Sequence, residues 1–153
     1  MEATLRAIHV LAAAIWVGGT VGLVFVAVPS VQRLEGEVRA RLLRDFGRRW
    51  RPIGWSALGI AVATGLGLAA YDHAFDTAPA SFDWVLAVKG LLVGLLVGGA
   101  YLHDYVLGPG LARQIRAGEP QSLRPLLTAM GRANLAITMA LPVLGVVLSE
   151  LVS

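Results

Sequence analysis

The chain has 153 residues, 56% of them hydrophobic and 15% charged, with no cysteine and a formal net charge of +3. That balance describes a chain built for lipid rather than a soluble domain. The lack of thiols excludes disulfides, zinc-thiolate sites, iron-sulfur clusters and covalently attached c-type haem, so any metal or cofactor must rely on His, Lys, Met, Tyr or carboxylates.

Four blocks of spanning length follow one another, at about 7–28, 53–71, 84–107 and 133–152, each close to the roughly 20 apolar residues that a bilayer demands. They are continuously apolar rather than alternating, and lipid offers the backbone no partner but itself. The expected fold is therefore all-α, a four-helix transmembrane bundle forming a single integral membrane domain over 1–153. The first block has only Arg6 before it as a basic residue, opposed by Glu2, and is longer than a secretory h-region, so it reads as a retained helix. Between the first two blocks, RLEGEVRARLLRDFGRRWRP carries Leu34, Val38, Leu42, Phe46 and Trp50 at four-residue spacing, with arginines on most other faces. The spacing predicts a basic amphipathic helix over about 33–51, lying on the inner leaflet, anchored to anionic lipid and meeting the second span near Pro52.

The second block ends at Tyr71, and the connection from Asp72 to Asp83 is acidic, with Asp72, Asp76 and Asp83 and no Lys or Arg. The third block follows, and Arg113, Arg116 and Arg124 then make a second basic connection, with Arg132 at the edge of the fourth. The positive-inside rule puts both basic connections in the cytoplasm and both termini outside, as in a protein of a bacterial inner membrane. With the charge accounted for in this way, no nucleic-acid partner is expected. Tyr71, Phe75, Phe82 and Trp84 read as an outer aromatic belt, and Trp50 and Trp55 as an inner one. Gly18 and Gly22, and Gly90, Gly94 and Gly98, recur at the four-residue interval that lets helices approach closely, in the bundle or in a homo-oligomer. No internal repeat is legible.

The titratable residues in or beside the spans are few: His9, Lys89, His103 and Asp104, with Asp72 and His73 at the outer end of the second. A charge in hydrocarbon costs about 2.5 to 3.5 kcal/mol, so each needs a reason. His9 lies a few residues into the first span, and Lys89 lies five residues past Trp84. At about 1.5 Å per residue both fall within roughly 10 Å of the outer interface, the side on which His73 also lies. His103 follows Lys89 by fourteen positions, on nearly the same helix face but about 21 Å deeper, which suits pairing with cytoplasmic arginines or a second site. Plainer readings stand beside these: Lys89 snorkelling to headgroups, His9 as a neutral core histidine, and His73 as a solvated loop residue.

An outer His and Lys between helices suit haem iron ligation best. Copper is the alternative, but soft sites favour Cys and Met, and the internal methionines, Met130 and Met139, belong to the cytoplasmic side and the fourth helix. A proton path would require acids through the third span, which has none between Lys89 and His103.

LRAIHVLAAAIWVGGTVGLVFVAVP resembles the first helix of the related small membrane families that include the copper-resistance D (CopD) domain and the HemJ-type protoporphyrinogen oxidases, in which a His is followed seven residues on by Trp and then glycine. Here these are His9, Trp16, Gly18 and Gly19. WVLAVKGLLVGLLVGGAYLH is similar to the third helix in Trp84, Lys89, Tyr101 and His103, RRWRPIGWSALGIAVATGLGL to the second in Pro52 and Thr64-Gly65, and GRANLAITMALPVLGVVL to the fourth in Arg132 and Asn134. The resemblance implies b-type haem with His9 as axial ligand, Lys89 as a required partner bound to a propionate or ligating in its neutral form, and electron exchange with a membrane donor or acceptor. It also brings the copper handling of the CopD type as the rival. VPSVQRLEG keeps Pro29 but lacks the His and aromatic residues that the HemJ type carries after its first helix. The expected function is haem-dependent redox chemistry or electron transfer, with a copper-binding protein and a purely structural membrane subunit as the other readings.

Overall fold

The computed structural model describes residues 2–71 and 80–152. It shows an all-α protein, with no strand among the described residues, in which four helical runs, Glu2–Val31, Gly36–Ala70, Asp83–Arg116 and Arg124–Leu151, are long and apolar enough to cross a membrane. Phe25, Leu66, Leu91 and Val143, one from each run, are exposed. Such apolar faces are costly in water and neutral in lipid.

The chain divides into two compact units, Met1–Thr77 and Ala78–Ser153, each an antiparallel helical hairpin. In the first, α1 (Glu2–Val21) passes through a π-helical stretch, Gly22–Ala27, into the single turn α2 (Val28–Val31), and α3 (Gly36–Tyr71) returns along it. Glu2 sits in the first turn of α1, where a carboxylate complements the helix dipole, and its bond with Arg6 at 2.7 Å staples that turn. In the second, α4 (Ala80–Tyr101) passes through a π-helical stretch, Leu102–Leu107, into α5 (Gly108–Arg116), and α6 (Arg124–Val152) returns. Gly118, at φ 67°, ends α5: its N–H reaches the Ile115 carbonyl and that of Glu119 the Gln114 carbonyl, closing the last turn before Pro120.

The hairpins share one plan at a constant shift of 80 positions, Gly22 to Leu102 and Ala27 to Leu107, although no repeat is legible in composition or hydropathy. Without a gap, Val17-Gly18-Gly19 falls on Val97-Gly98-Gly99, Pro29 on Pro109, Arg33 on Arg113, Arg44 on Arg124 and Gly65 on Gly145. In both π stretches the N–H that closes the widened turn bonds five residues back, Val28 to Leu23 and Gly108 to His103, and the next residue is a proline with no N–H to offer. Pro52 and Pro142 lie within regular α-helix, so a proline alone does not widen the turn.

Three expectations change. The basic connections are mostly helix: Arg39 to Arg51 lie on α3, which runs unbroken through Pro52, and Arg113 and Arg116 end α5. The expected interfacial helix over 33–51 is thus no separate element but the first part of α3. Trp50, expected in an inner aromatic belt, also packs within the hairpin, with its ring against Gly19 and 6.4 Å from the Trp16 ring. On α1 and α4 the glycines that admit a neighbour are Gly19 and Gly99, whereas a Cβ at Gly18, Gly22, Gly90, Gly94 or Gly98 would meet open space. Glycines at four-residue spacing thus lie on faces where, within their own hairpin and among the described residues, an added Cβ meets nothing within 4 Å. The second hairpin closes around Leu96 and Thr138, 0% and 1% exposed.

Candidate functional site

In the first hairpin the site is built on His9, which α1 directs at one turn of α3. Its Nδ1 lies 2.9 Å from the Ala61 carbonyl oxygen and 3.1 Å from Thr64 Oγ1. A carbonyl only accepts, so Nδ1 carries the proton and donates it. Thr64 gives its own hydroxyl proton to the Ile60 carbonyl at 2.6 Å, which leaves its oxygen as a second acceptor for His9. This local bond is the ordinary habit of a threonine inside an apolar helix, and here it also orients a ring on another helix. In the neutral ring the lone pair then belongs to Nε2. Gly65 makes the approach possible, because a Cβ there would come within 3.0 Å of His9 Cε1.

Trp16 lies two turns further along α1, paired with Trp50. It helps hold the two helices together.

The second hairpin holds Lys89 at the position of His9. Its Nζ lies 3.6 Å from where a Cβ of Gly145 would stand, and Gly145 is the repeat counterpart of Gly65. The polar acceptor is not repeated: Leu144 stands where Thr64 does. Among the described residues no hydrogen bond or ion pair reaches Lys89.

His103 and Asp104 lie in the second π stretch, joined by a bond of 3.0 Å from Nδ1 to Oδ1, and His103 Nε2 lies 3.6 Å from the Cβ position of Gly131 on α6. Tyr101 and Tyr105 pair one turn apart with ring centroids at 5.2 Å. His73 lies outside the described residues. Met130 and Met139 are both on α6. Among the described residues no three His, Asp or Glu gather as metal ligands. A single axial histidine needs no such cluster.

Thr64 and Gly65 appear in the sequence only as part of a resemblance, without a role. What assigns the role is the level at which α1 and α3 meet. Gly145 and Lys89 could have been paired from the shift of 80 alone.

The fold and these side chains define an all-α protein of four membrane-length helices with one histidine held in a fixed tautomer and one lysine in an apolar helix. No family model, curated protein or solved structure matches the chain.

Proposed function

We propose that this is an integral membrane protein that binds haem b through His9 Nε2 and serves redox chemistry or electron transfer. One observation carries the reading: the Nδ1–H of His9 is given to the Ala61 carbonyl, which orients the ring and leaves the lone pair on Nε2, the nitrogen that would ligate. Orientation of a ligand histidine through its other nitrogen is the usual outer-shell device of metal and haem sites. Haem supplies a one-electron couple when bound. The chain's own part is to hold the imidazole, exclude water with apolar helices and keep the ring neutral. The resemblance of the first and third helices to the CopD and HemJ types supports the same reading, with protoporphyrinogen oxidation as one form of it.

In this reading the termini and the 72–83 connection face outside and the arginine-rich ends face the cytoplasm. The exposed Val38 and Phe46 on α3 meet the interface beside their arginines. The open stripe Gly90, Gly94 and Gly98 is where a second copy would associate. A thiol reagent confined to the outside labels Thr77→Cys and spares Ala117→Cys if this orientation holds.

Protein purified in mild detergent and supplied with haem b shows a Soret band, which His9→Ala loses while His103→Ala keeps it. Loss in His103→Ala alone moves the ligand to the second π stretch. A colourless preparation with stoichiometric copper establishes the copper reading instead.

A further inference from the structure

Along the first hairpin α1 and α3 pack in one antiparallel register: Leu5 lies against Gly67, His9 against Ala61 and Gly65, and Gly19 against Trp50. Carried past Gly19, the same register sets the π stretch Gly22–Ala27 level with Arg44 and Arg48. The basic part of α3 therefore stands upright beside a stretch that is still apolar, with Val24, Phe25 and Val26 exposed. Regular helix at about 100° per residue puts Arg41, Arg44 and Arg48, all exposed, in one stripe, and sets Arg41 and Arg48 on the face opposite Trp50, which packs on α1. Arg6 stands level with Leu66, and from there to Arg48 α3 rises about 27 Å, short of a hydrocarbon core of about 30 Å. The second hairpin differs. Its register, Gly99 against Asn134 and His103 beside Gly131, sets Leu102–Leu107 level with 126–132, where only Arg132 is basic. Asp83 and Asp104 there lie about 31 Å apart along the helix, with Lys89 the one Lys, Arg, Asp or Glu between them.

We infer that the Arg41, Arg44 and Arg48 stripe binds the phosphodiester groups of membrane phospholipids and holds them at the level of Phe25, so that the bilayer is thinner along the first hairpin than along the second. It rests on the membrane-spanning reading alone and needs no haem. Cations at a depth where the neighbouring helix is apolar are costly unless an anion reaches them, and in a bilayer the lipid phosphate is the anion at hand. Every basic residue on this part of α3 is arginine, whose planar fork grips a phosphate at two points. The bond from Arg48 to Asp45, 3.2 Å long and between exposed side chains, is a weak competitor that engages one edge of a five-donor group. A helix lying flat on the leaflet would hold these arginines at one depth. Upright, Arg41 and Arg48 differ in depth by about 10 Å.

The test uses the full chain, which has no native cysteine, in phosphatidylcholine bilayers and phosphate-free buffer. One spin label is placed at Gly22→Cys, Gly36→Cys, Gly47→Cys or Gly90→Cys, positions where an added Cβ meets nothing within 4 Å. Relaxation of the lipid ³¹P reports nearby phosphate, and collisions with oxygen against a nickel chelate report depth. The Gly90 label is expected in hydrocarbon; if it is in water, the membrane-spanning reading falls and the inference with it. The Gly47 label is expected to relax ³¹P about fivefold more than the Gly36 label. Equal depth and equal relaxation at the two would mean that this part of α3 lies flat, which overturns the inference. Replacing Arg44 and Arg48 together by Gln should cut the relaxation at Gly47 about fivefold and move the Gly22 label towards hydrocarbon, as the bilayer closes over the apolar stretch. No change at either label overturns the site. So does relaxation that appears only when inorganic phosphate is added, because the ligand is then a soluble anion. Should the Gln pair not fold, Arg44→Lys with Arg48→Lys keeps the charge and removes the two-point grip. Loss of about half the relaxation at Gly47 supports the site, and full retention overturns it.

Discussion

The two hairpins differ least where their backbones are tightest and most where their nitrogens sit. Both place a glycine pair near the end of the first long helix, a widened turn after it, a proline beyond that, and a glycine on the returning helix opposite a nitrogen-bearing side chain. The first hairpin fills the plan with an imidazole, a threonine and a tryptophan, the second with an ammonium, a leucine and an asparagine. Shape at this level is thus set by glycine, and chemistry by the two or three side chains around it. One plan yields a histidine bonded within its own hairpin in one unit and, among the described residues, a lysine without such a bond in the other. The comparison can be broken at each of its parts separately.

The largest effect is expected at the glycine pairs. A Cβ at Gly19 would overlap the edge of the Trp50 ring, and the Trp50 indole is also held close to Gly54 and Trp16, so the ring has no easy way to retreat. Gly19→Ala should cost about 2 kcal/mol, the usual range for overpacking a close-fitted contact. Gly99→Ala meets only the amide of Asn134, the far end of a flexible side chain, and should cost about half as much. Gly18→Ala and Gly98→Ala enter open space and should be neutral or gain a few tenths through helix propensity of up to about 1 kcal/mol. Unfolding of the four variants in mixed detergent micelles, followed by circular dichroism, gives the order. Equal losses at both members of a pair would mean that the register between the helices is different.

The four spans and their helical state were readable from the sequence because an apolar run of spanning length has one solution in lipid, and the structure has four such helices. Where those helices end was not. Arg39 to Arg51 read as a separate interfacial helix because charge marks a boundary with water, yet an amphipathic segment can extend a span without a break, and α3 does so for 36 residues. The choice of packing glycine was also hidden: Gly18 and Gly19 are adjacent and identical, and only the facing helix tells them apart. His9 stood out by itself as a polar residue in an apolar run. Its partners did not, since one is a backbone carbonyl, Ala61, that every residue possesses, and the other is a single threonine among many small residues. The repeat escaped notice because matching glycines and prolines are scattered among interchangeable apolar residues, which lipid selects for hydrophobicity more than for identity.

The next effect is at the returning glycines. Gly65→Ala brings a Cβ to 3.0 Å from His9 Cε1, so the ring must shift by a few tenths of an ångström or lose its bond to Ala61. If His9 ligates haem as proposed, its second contacts are worth about tenfold or more in affinity, and haem binding should weaken by at least that factor. Gly145→Ala places its Cβ 3.6 Å from Lys89 Nζ, an ordinary contact beside a flexible stem, and should leave both stability and the Soret band unchanged. Haem titrations of the two variants separate them. If Gly145→Ala proves the more damaging, the slot on the second hairpin is the tighter of the two and the comparison inverts.

The smallest effect concerns the acceptor itself. Thr64→Val keeps the volume of the side chain and removes the oxygen that His9 Nδ1 approaches at 3.1 Å, while the Ala61 carbonyl at 2.9 Å remains. The imidazole proton therefore stays on Nδ1 and the nitrogen proposed to ligate is unchanged, but the ring loses one of its restraints. A neutral hydrogen bond contributes about 1 kcal/mol net, so haem affinity should fall about fivefold with no change in the position of the Soret band. The reciprocal exchange, Leu144→Thr, gives the second hairpin the hydroxyl that its plan lacks. A threonine there bonds the carbonyl four residues back, as Thr64 does, and presents its oxygen to Lys89. The lysine then has an acceptor within its own hairpin, and the second hairpin should gain about 1 kcal/mol in unfolding followed by circular dichroism. A fall in haem affinity with Thr64→Val but no response to Leu144→Thr would show that the two nitrogens share a backbone position without sharing the direction in which they point.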